Sequence, residues 1–321
     1  MDNYDLWGEK MTELSKEIFD KYQARRSKEH KTEFIRFLEK SFLPYGLSFD
    51  YKPMGSFGSR NIVVGDIENA KIIFTAHYDT CQTFPCSVRI MPKHKNLSLV
   101  RNILSALPTL FLILILSLSL MFVFLLLNIN YIITMVFTYG ALFVLLYFVF
   151  FGKENANTAN DNTSGVITLC EILASAKKEQ LEKIAFVFFD NEEKGLLGSK
   201  CFRKKYKSAV ENKLIVNIDA VSDGDYIIIV KNKENKEIYD NAVNESFCQC
   251  ENKTILFESS KEFHFSSDQK GFPQNIAIAA FKKSRFGNLY LDRIHTKKDT
   301  KFDESNIEYI KNASLKLIDN I

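Results

Sequence analysis

Two long stretches without a charged residue constrain this chain more than any other feature of its sequence. Residues 103–127 read ILSALPTLFLILILSLSLMFVFLLL, and residues 131–151 read YIITMVFTYGALFVLLYFVFF. Crossing about 30 Å of hydrocarbon takes roughly 20 helical residues at about 1.5 Å each, so both stretches are long enough to span a bilayer. The alternative is a pair of buried core helices. It is disfavoured because helices of soluble cores show a polar face, and these stretches show none.

The linker NIN between the two stretches is so short that they are predicted to form a tight hairpin with both ends on one side of the membrane. By the positive-inside rule, basic residues beside the hairpin place the rest of the chain in the cytoplasm. The N-terminal stretch lacks the apolar core of a signal peptide, and the six cysteines show no zinc-ribbon or redox spacing, which favours the same location. The flanking basic residues are Arg89, Lys93, Lys95, Arg101 and Lys153.

Outside the hairpin, the sequence predicts an α/β domain. Apolar runs that suit buried strands alternate with segments of helical periodicity, which predicts a mostly parallel twisted sheet with helices on both faces. We therefore divide the chain into residues 1–101, the hairpin at 102–152, and residues 153–321 that complete the domain. The predicted strands are 61–67, 71–78, 183–190, 213–221 and 275–281, and the main helices are 164–177, 193–206 and 304–321.

The net charge of +3 over 321 residues gives no support for nucleic-acid binding. The basic cluster FRKKYK at 202–207 is typical of a solvated helix face.

Acids and histidines follow several of the predicted strands. His77 and Asp79 end one strand, and Asp219 ends another. Glu192 and Glu193 come shortly after the apolar run at 183–190. A single His-x-Asp or Glu-Glu pair is more often structural or solvated, but carboxylates at the mouths of buried strands are costly unless paired or metal-bound. Because ligands bind at the carboxyl ends of parallel strands, we expect these side chains to meet.

Two further candidates, Asp161 and His295, complete a set of two imidazoles and three carboxylates that suits zinc. Two metal ions need a bridging carboxylate, which Asp161 can supply. Glu192 is left over as a general base that takes a proton from water and hands it to a leaving amine. Asp79, two residues after His77, is placed to fix the imidazole tautomer. The predicted metal ligands are His77, Asp161, Glu193, Asp219 and His295.

The order of these motifs resembles the co-catalytic zinc exopeptidases of the aminopeptidase Y type, which also include the glutaminyl cyclases. The matching segments cover most of residues 55–320, and the hairpin is a departure from the secreted members of that family. The resemblance implies that His77, Asp161 and Asp219 hold one zinc ion and that Asp161, Glu193 and His295 hold the other. It also implies Glu192 as the general base and Asp79 as the residue that orients His77. The matching segments are AHYDT, ANDNTSG, FFDNEEKGLLGS, NIDAV and RIHTKKDT.

The resemblance implies an aminopeptidase that removes N-terminal residues from peptides with two zinc ions per chain, and the predicted hairpin makes it membrane-anchored. The alternatives are a single-zinc glutaminyl cyclase and a catalytically silent, membrane-anchored binding module. The segment FHFSSDQKGFPQNIAIAAF resembles the part of the family that lines the substrate pocket. Only ten positions separate Phe151 from Asp161, so the metal centre is expected within about 35 Å of the membrane. The expected partners are a peptide substrate and the lipid bilayer.

Overall fold

A computed structural model describes residues 11–56, 58–250 and 253–321. The first ten residues, part of the stretch that was predicted not to be a signal peptide, lie outside this range. The strands are β1 (Phe49–Asp50), β2 (Ile62–Val64), β3 (Ile72–His77), β4 (Ile184–Phe189), β5 (Leu214–Ile218), β6 (Tyr226–Lys231), β7 (Thr254–Ser259), β8 (Asn275–Lys283) and β9 (Leu289–Tyr290). The helices are α1 (Glu13–Lys21), α2 (Lys28–Phe42), α3 (Lys95–Leu126), α4 (Tyr131–Phe150), α5 (Gly165–Ser175), α6 (Lys178–Leu181), α7 (Leu197–Lys205), α8 (Lys207–Val210), α9 (Glu237–Ser246) and α10 (Glu304–Asp319).

The described strands form one sheet in the order β1-β2-β4-β3-β5-β8-β6-β7, with β9 paired to β8. The four central strands β4, β3, β5 and β8 run parallel. Both flanks join this centre through antiparallel pairs, β2 with β4 and β6 with β8. The predicted α/β fold is confirmed, and its parallel part is the centre of the sheet. Strands β6 and β7 were not expected from the sequence.

Side chains alternate between two apolar layers on the sheet. Phe74 and Val216 pack into the layer that also holds α1, α2, α5, α9 and α10, while Ile73 and Ile215 pack on the opposite face with α7 and α8. This two-residue alternation places helices on both faces, as predicted. All five residues of β5 are buried, which explains its continuous apolar sequence.

Helices α3 and α4 form the predicted hairpin, and they are the two described helices that are long and apolar enough to cross a membrane. Only 11% of the most apolar window of each is buried. Helix α3 begins at Lys95, before the apolar stretch predicted from residue 103. Its polar first turns are fixed to the domain by Asn102, whose side chain accepts a hydrogen bond from the Arg89 N–H and donates one to the Arg89 carbonyl.

Helix α7 begins at Leu197, whereas the sequence predicted a helix from residue 193. Gly195 and Leu196 have positive φ values of 90° and 62°, which a right-handed helix excludes. Residues 190–196 therefore form a loop at the end of β4, and this loop carries Glu192 and Glu193 to the edge of the sheet.

Candidate metal centre

Three neighbouring parallel strands deliver side chains to one edge of the sheet. His77 is the last residue of β3, and Asp219 directly follows β5. Glu192 and Glu193 lie in the loop after β4. Because β4, β3 and β5 are adjacent and parallel, their carboxyl ends meet at this edge.

Asp161 reaches the same edge from the segment before α5. This segment, Ala159–Ser164, is an irregular turn with non-helical φ/ψ values at Asp161 and Asn162, and its six residues are all buried. The buried Asp299 carboxylate accepts hydrogen bonds from the backbone N–H of Asn160 at 2.8 Å and of Asp161 at 3.0 Å. Asp299 thereby fixes the backbone that presents Asp161. His295 precedes Asp299 in the same loop.

Asp161 lies between the two predicted imidazole ligands. Its Oδ1 is 3.2 Å from His77 Nε2, and its Oδ2 is 2.9 Å from His295 Nε2. Asp219 Oδ1 lies 3.5 Å from His77 Nε2, and Glu193 Oε1 lies 3.2 Å from His295 Nε2. The two oxygens of one carboxylate thus face two separate clusters of donor atoms.

The donor set fits metal ions. His77, Asp161 and Asp219 place one donor atom each within 4.8 Å of one another. Glu193 Oε1 is buried and accepts no hydrogen bond among the described residues, although it lies beside the His295 ring. An oxygen in that position is expected when both side chains direct lone pairs at a common cation. Nitrogen and oxygen donors in this combination suit zinc.

Asp79 acts through the backbone of residues 190–196, the loop that carries Glu192 and Glu193 and is called the glutamate loop below. The Nδ1 atom of His77 contacts the main-chain carbonyl of Asp79 at 3.0 Å, while the Asp79 carboxylate lies 3.8 Å away. That carboxylate instead accepts the backbone N–H of Glu192 at 2.9 Å and of Glu193 at 3.3 Å. The sequence predicted that the Asp79 side chain orients His77. In the structure, His77 Nδ1 lies closer to the main-chain carbonyl oxygen of Asp79 than to its carboxylate. This contact leaves His77 Nε2 free to face the acids.

The acids shift the titration of both histidines. Burial disfavours a charged His77, but its hydrogen bonds with Asp161 and Asp219 raise the imidazole pKa well above 6.5. Burial opposes the charge on His295 as well, and Glu193 and Asp161 raise its pKa well above 6.5. In the absence of a cation these imidazoles therefore carry protons that compensate the carboxylates. A bound cation replaces those protons.

A cavity of about 120 Å³ opens at this cluster. Glu192 lines it, and burial raises the pKa of the Glu192 carboxyl well above 4.5. Phe265 and Ser266 also line it, in the segment that the sequence placed at the substrate pocket. Two other polar residues close to these segments in the sequence do not line this cavity. His264 lines a different cavity, and the Asp190 carboxylate forms an ion pair with the buried Lys31.

Sequence reasoning assigned no role to Asn162 or Asp299, although both buried side chains fix the loops of the cluster. Both lie in motifs that were recognised, DNTSG and RIHTKKDT. The available signal was a polar residue within a few positions of a predicted ligand. Their partners are backbone groups that only the folded chain brings near.

The fold and the donor cluster define a metallopeptidase of the zinc exopeptidase type. The chain belongs to peptidase family M28, whose model matches residues 147–318, and the suspected family is thereby confirmed. No curated protein sequence matches the chain significantly.

Among solved structures, the LapA aminopeptidase of Legionella pneumophila is similar at a TM-score of 0.57 and 13% identity, over 96% of this chain and 69% of that chain. LapB of the same organism has a TM-score of 0.54 and 12% identity, over 96% and 70%. A glutaminyl cyclase of Fimbriiglobus ruber has a TM-score of 0.54 and 13% identity, over 100% and 97%. At these identities the likeness shows the shared fold.

Proposed function

We propose that this metallopeptidase is an aminopeptidase that uses two zinc ions, one held by His77, Asp161 and Asp219 and the other by Asp161, Glu193 and His295. The observation that carries the proposal is the position of Asp161, with one oxygen 3.2 Å from His77 Nε2 and the other 2.9 Å from His295 Nε2. A carboxylate between two donor clusters is the arrangement that a two-metal site needs.

When bound, zinc polarises a scissile carbonyl and lowers the pKa of water. Glu192 is the general base: it accepts a proton from water and passes it to the leaving amine. Burial supports this role, because it raises the pKa of the Glu192 carboxyl and so favours the protonated form that carries the proton between the two steps. Asp79 positions Glu192 by accepting its backbone N–H at 2.9 Å.

The small size of the cavity supports the removal of single residues from the end of a peptide. Its volume of about 120 Å³ leaves room for little more than one side chain beside the metal ligands. Large apolar side chains line the cavity together with the acids, so we expect an apolar residue at the N-terminus of the substrate. These apolar side chains are those of Ile90, Phe265, Leu291 and Ile294.

The hairpin is proposed to anchor this site beside the cytoplasmic face of a membrane. The N–H of Phe84 donates to the His295 carbonyl at 2.8 Å, and the N–H of Thr83 donates to the Lys153 carbonyl at 2.9 Å. Helix α4 ends at Phe150, so a predicted metal ligand is linked to the end of the hairpin through a few hydrogen-bonded residues. Peptides released at the membrane are the corresponding substrates.

The test is the variant Glu192→Gln in the detergent-solubilised full chain. The exposed Glu211→Gln provides a matched control. Turnover of aminoacyl-anilides is expected to fall by about 10²–10⁴-fold in the first variant and to stay unchanged in the second. Zinc content, measured by atomic emission, should remain at two per chain in both. Full activity of Glu192→Gln would refute the mechanism.

The same samples separate the alternatives. One zinc per active chain, with ammonia released from N-terminal glutaminyl peptides, would favour a glutaminyl cyclase. Two zinc ions bound without turnover of aminoacyl-anilides or of glutaminyl peptides would favour the silent binding module.

A further inference from the structure

A buried thiol lies beside one of the two donor clusters. Cys81 Sγ lies within 4.8 Å of donor atoms of Glu193 and His295, which are themselves mutually within that distance. Cys81 is 6% exposed and is a free cysteine. Three side chains of metal-ligating type therefore converge at this cluster, and Glu193 contributes the buried Oε1 that accepts no hydrogen bond among the described residues.

Packing does not explain the position of Cys81. Cys170, another buried cysteine, lies in the main apolar layer with α5, whereas Cys81 belongs to none of the three apolar clusters formed by the described residues. A buried cysteine normally behaves as a small apolar side chain. Here its neighbours are a carboxylate and an imidazole.

The backbone of Cys81 is held rigidly. Its carbonyl accepts the N–H of Asn155 at 3.1 Å, and Gln82 pairs with Glu154 in an antiparallel bridge. The N–H of Thr83 donates to the Lys153 carbonyl at 2.9 Å. Residues 81–83 and 153–155 thus form a short antiparallel pairing, which fixes the direction of the Cys81 side chain toward the donor cluster.

We propose that Cys81 is a fourth protein ligand at the Glu193–His295 position, where it completes a set of sulfur, nitrogen and oxygen donors together with Asp161. The inference rests on the proposed di-zinc function. On metal binding the thiol loses its proton to solvent and its sulfur forms a coordinate bond, with no change of oxidation state.

Two consequences follow for the site. Four protein ligands close a tetrahedral position, whereas a catalytic position keeps one coordination site open. The open position is then the one formed by His77, Asp161 and Asp219. Glu192 and ligands of both metal positions line the cavity, whereas Cys81 is not among the described residues that line it. The sulfur therefore lies outside the cavity and leaves it free for the substrate. A thiolate also raises the preference of its position for soft ions such as zinc and cadmium over manganese.

Cobalt substitution tests the proposal without an activity assay. The metal-free, detergent-solubilised full chain is titrated with Co²⁺ while bound metal and the absorption spectrum are measured together. We expect two equivalents to bind, and one of them to produce a thiolate-to-cobalt charge-transfer band in the near ultraviolet. Cys81→Ser should lose this band, and its affinity at that position should fall by more than the roughly 10–100-fold typical of outer-shell changes. Cys86→Ser, in the neighbouring loop, should keep the band.

The outcomes separate the two proposals. If the unaltered chain binds two equivalents of cobalt and shows no thiolate band, the role of Cys81 is overturned and the di-zinc function stays intact. This result does not depend on whether Cys81→Ser folds. A band that persists in a folded Cys81→Ser variant would also overturn it. No bound cobalt at all would overturn both proposals.

Discussion

The substitution Asn162→Ala tests how the loops of the metal centre are held together. The Asn162 side chain is fully buried. Its Oδ1 accepts the backbone N–H of Gly165 at 3.0 Å and of Ala220 at 3.2 Å. Its Nδ2 donates to the carbonyls of Ile218 at 3.1 Å and His77 at 3.4 Å. One amide therefore joins the ends of β3 and β5 to the start of α5.

The alanine variant leaves the buried N–H of Ala220 without an acceptor, whereas the N–H of Gly165 keeps the main-chain carbonyl of Asn162. An unpaired buried donor costs about 1–3 kcal/mol, and the carbonyls of Ile218 and His77 each lose a donor as well, so the free energy of unfolding should fall by at least about 1–3 kcal/mol. The control is Asn157→Ala, in the same segment. The Asn157 side chain is half-buried and donates one hydrogen bond, to the Lys297 carbonyl at 2.7 Å. Its loss should cost about 1 kcal/mol or less.

Urea unfolding of the detergent-solubilised full chain, followed by circular dichroism, measures both variants. The experiment is run with a chelator, so that weaker metal binding cannot contribute to the difference. If Asn162→Ala and Asn157→Ala lose the same free energy of unfolding, the hydrogen bonds of Asn162 do not hold the three loops together, and the reasoning is wrong.

Three further predictions concern the site and the hairpin. Asp79→Asn should lower turnover of aminoacyl-anilides by about 10–100-fold, because an amide offers one oxygen to the two N–H groups of the glutamate loop; unchanged kinetics would contradict this. Zinc binding to the metal-free chain at pH 7 should release protons, since the raised pKa values keep His77 and His295 protonated, and calorimetry in buffers of different ionisation heat counts them. Zinc affinity should therefore fall as the pH is lowered and lose its pH dependence above those pKa values. Zinc binding at pH 7 without release of protons would contradict the raised pKa values of the two histidines. Replacing residues 102–152 with a short linker should move the protein from the membrane to the soluble fraction, and recovery in the membrane pellet would contradict the anchor.

Local sequence was sufficient where burial is continuous. The run at Ile184–Phe189 could only be a strand buried on both faces, and the acids after it had to lie at its carboxyl end. The hairpin was equally determined, because uncharged stretches of that length have few alternatives. These two features explain why the fold class and the residues of the cluster were accessible from the sequence.

Strand direction was not accessible in the same way. Strand β6 has four consecutive buried residues, as a central parallel strand would, yet it pairs antiparallel with β8. Side chains alternate identically in both directions, so the pattern carries no information about orientation. The start of α7 was misjudged for a related reason. Glu193, Lys194 and Leu196 are good helix formers, but Gly195 is not, and the loop keeps positive φ values at Gly195 and Leu196.

The position of the hairpin follows from the same long-range contacts. Residues 81–83 pair with 153–155, so the chain on either side of the insertion is closed by its own backbone hydrogen bonds. An insertion between two paired segments changes mainly the length of the loop, and loop length costs little free energy. The domain can therefore carry the apolar hairpin next to its candidate metal centre while Cys81 and Asn155 keep their places. For the same reason, excision of residues 102–152 should leave turnover of short soluble peptides unchanged. A loss of turnover with intact zinc binding would mean that the hairpin takes part in holding the substrate.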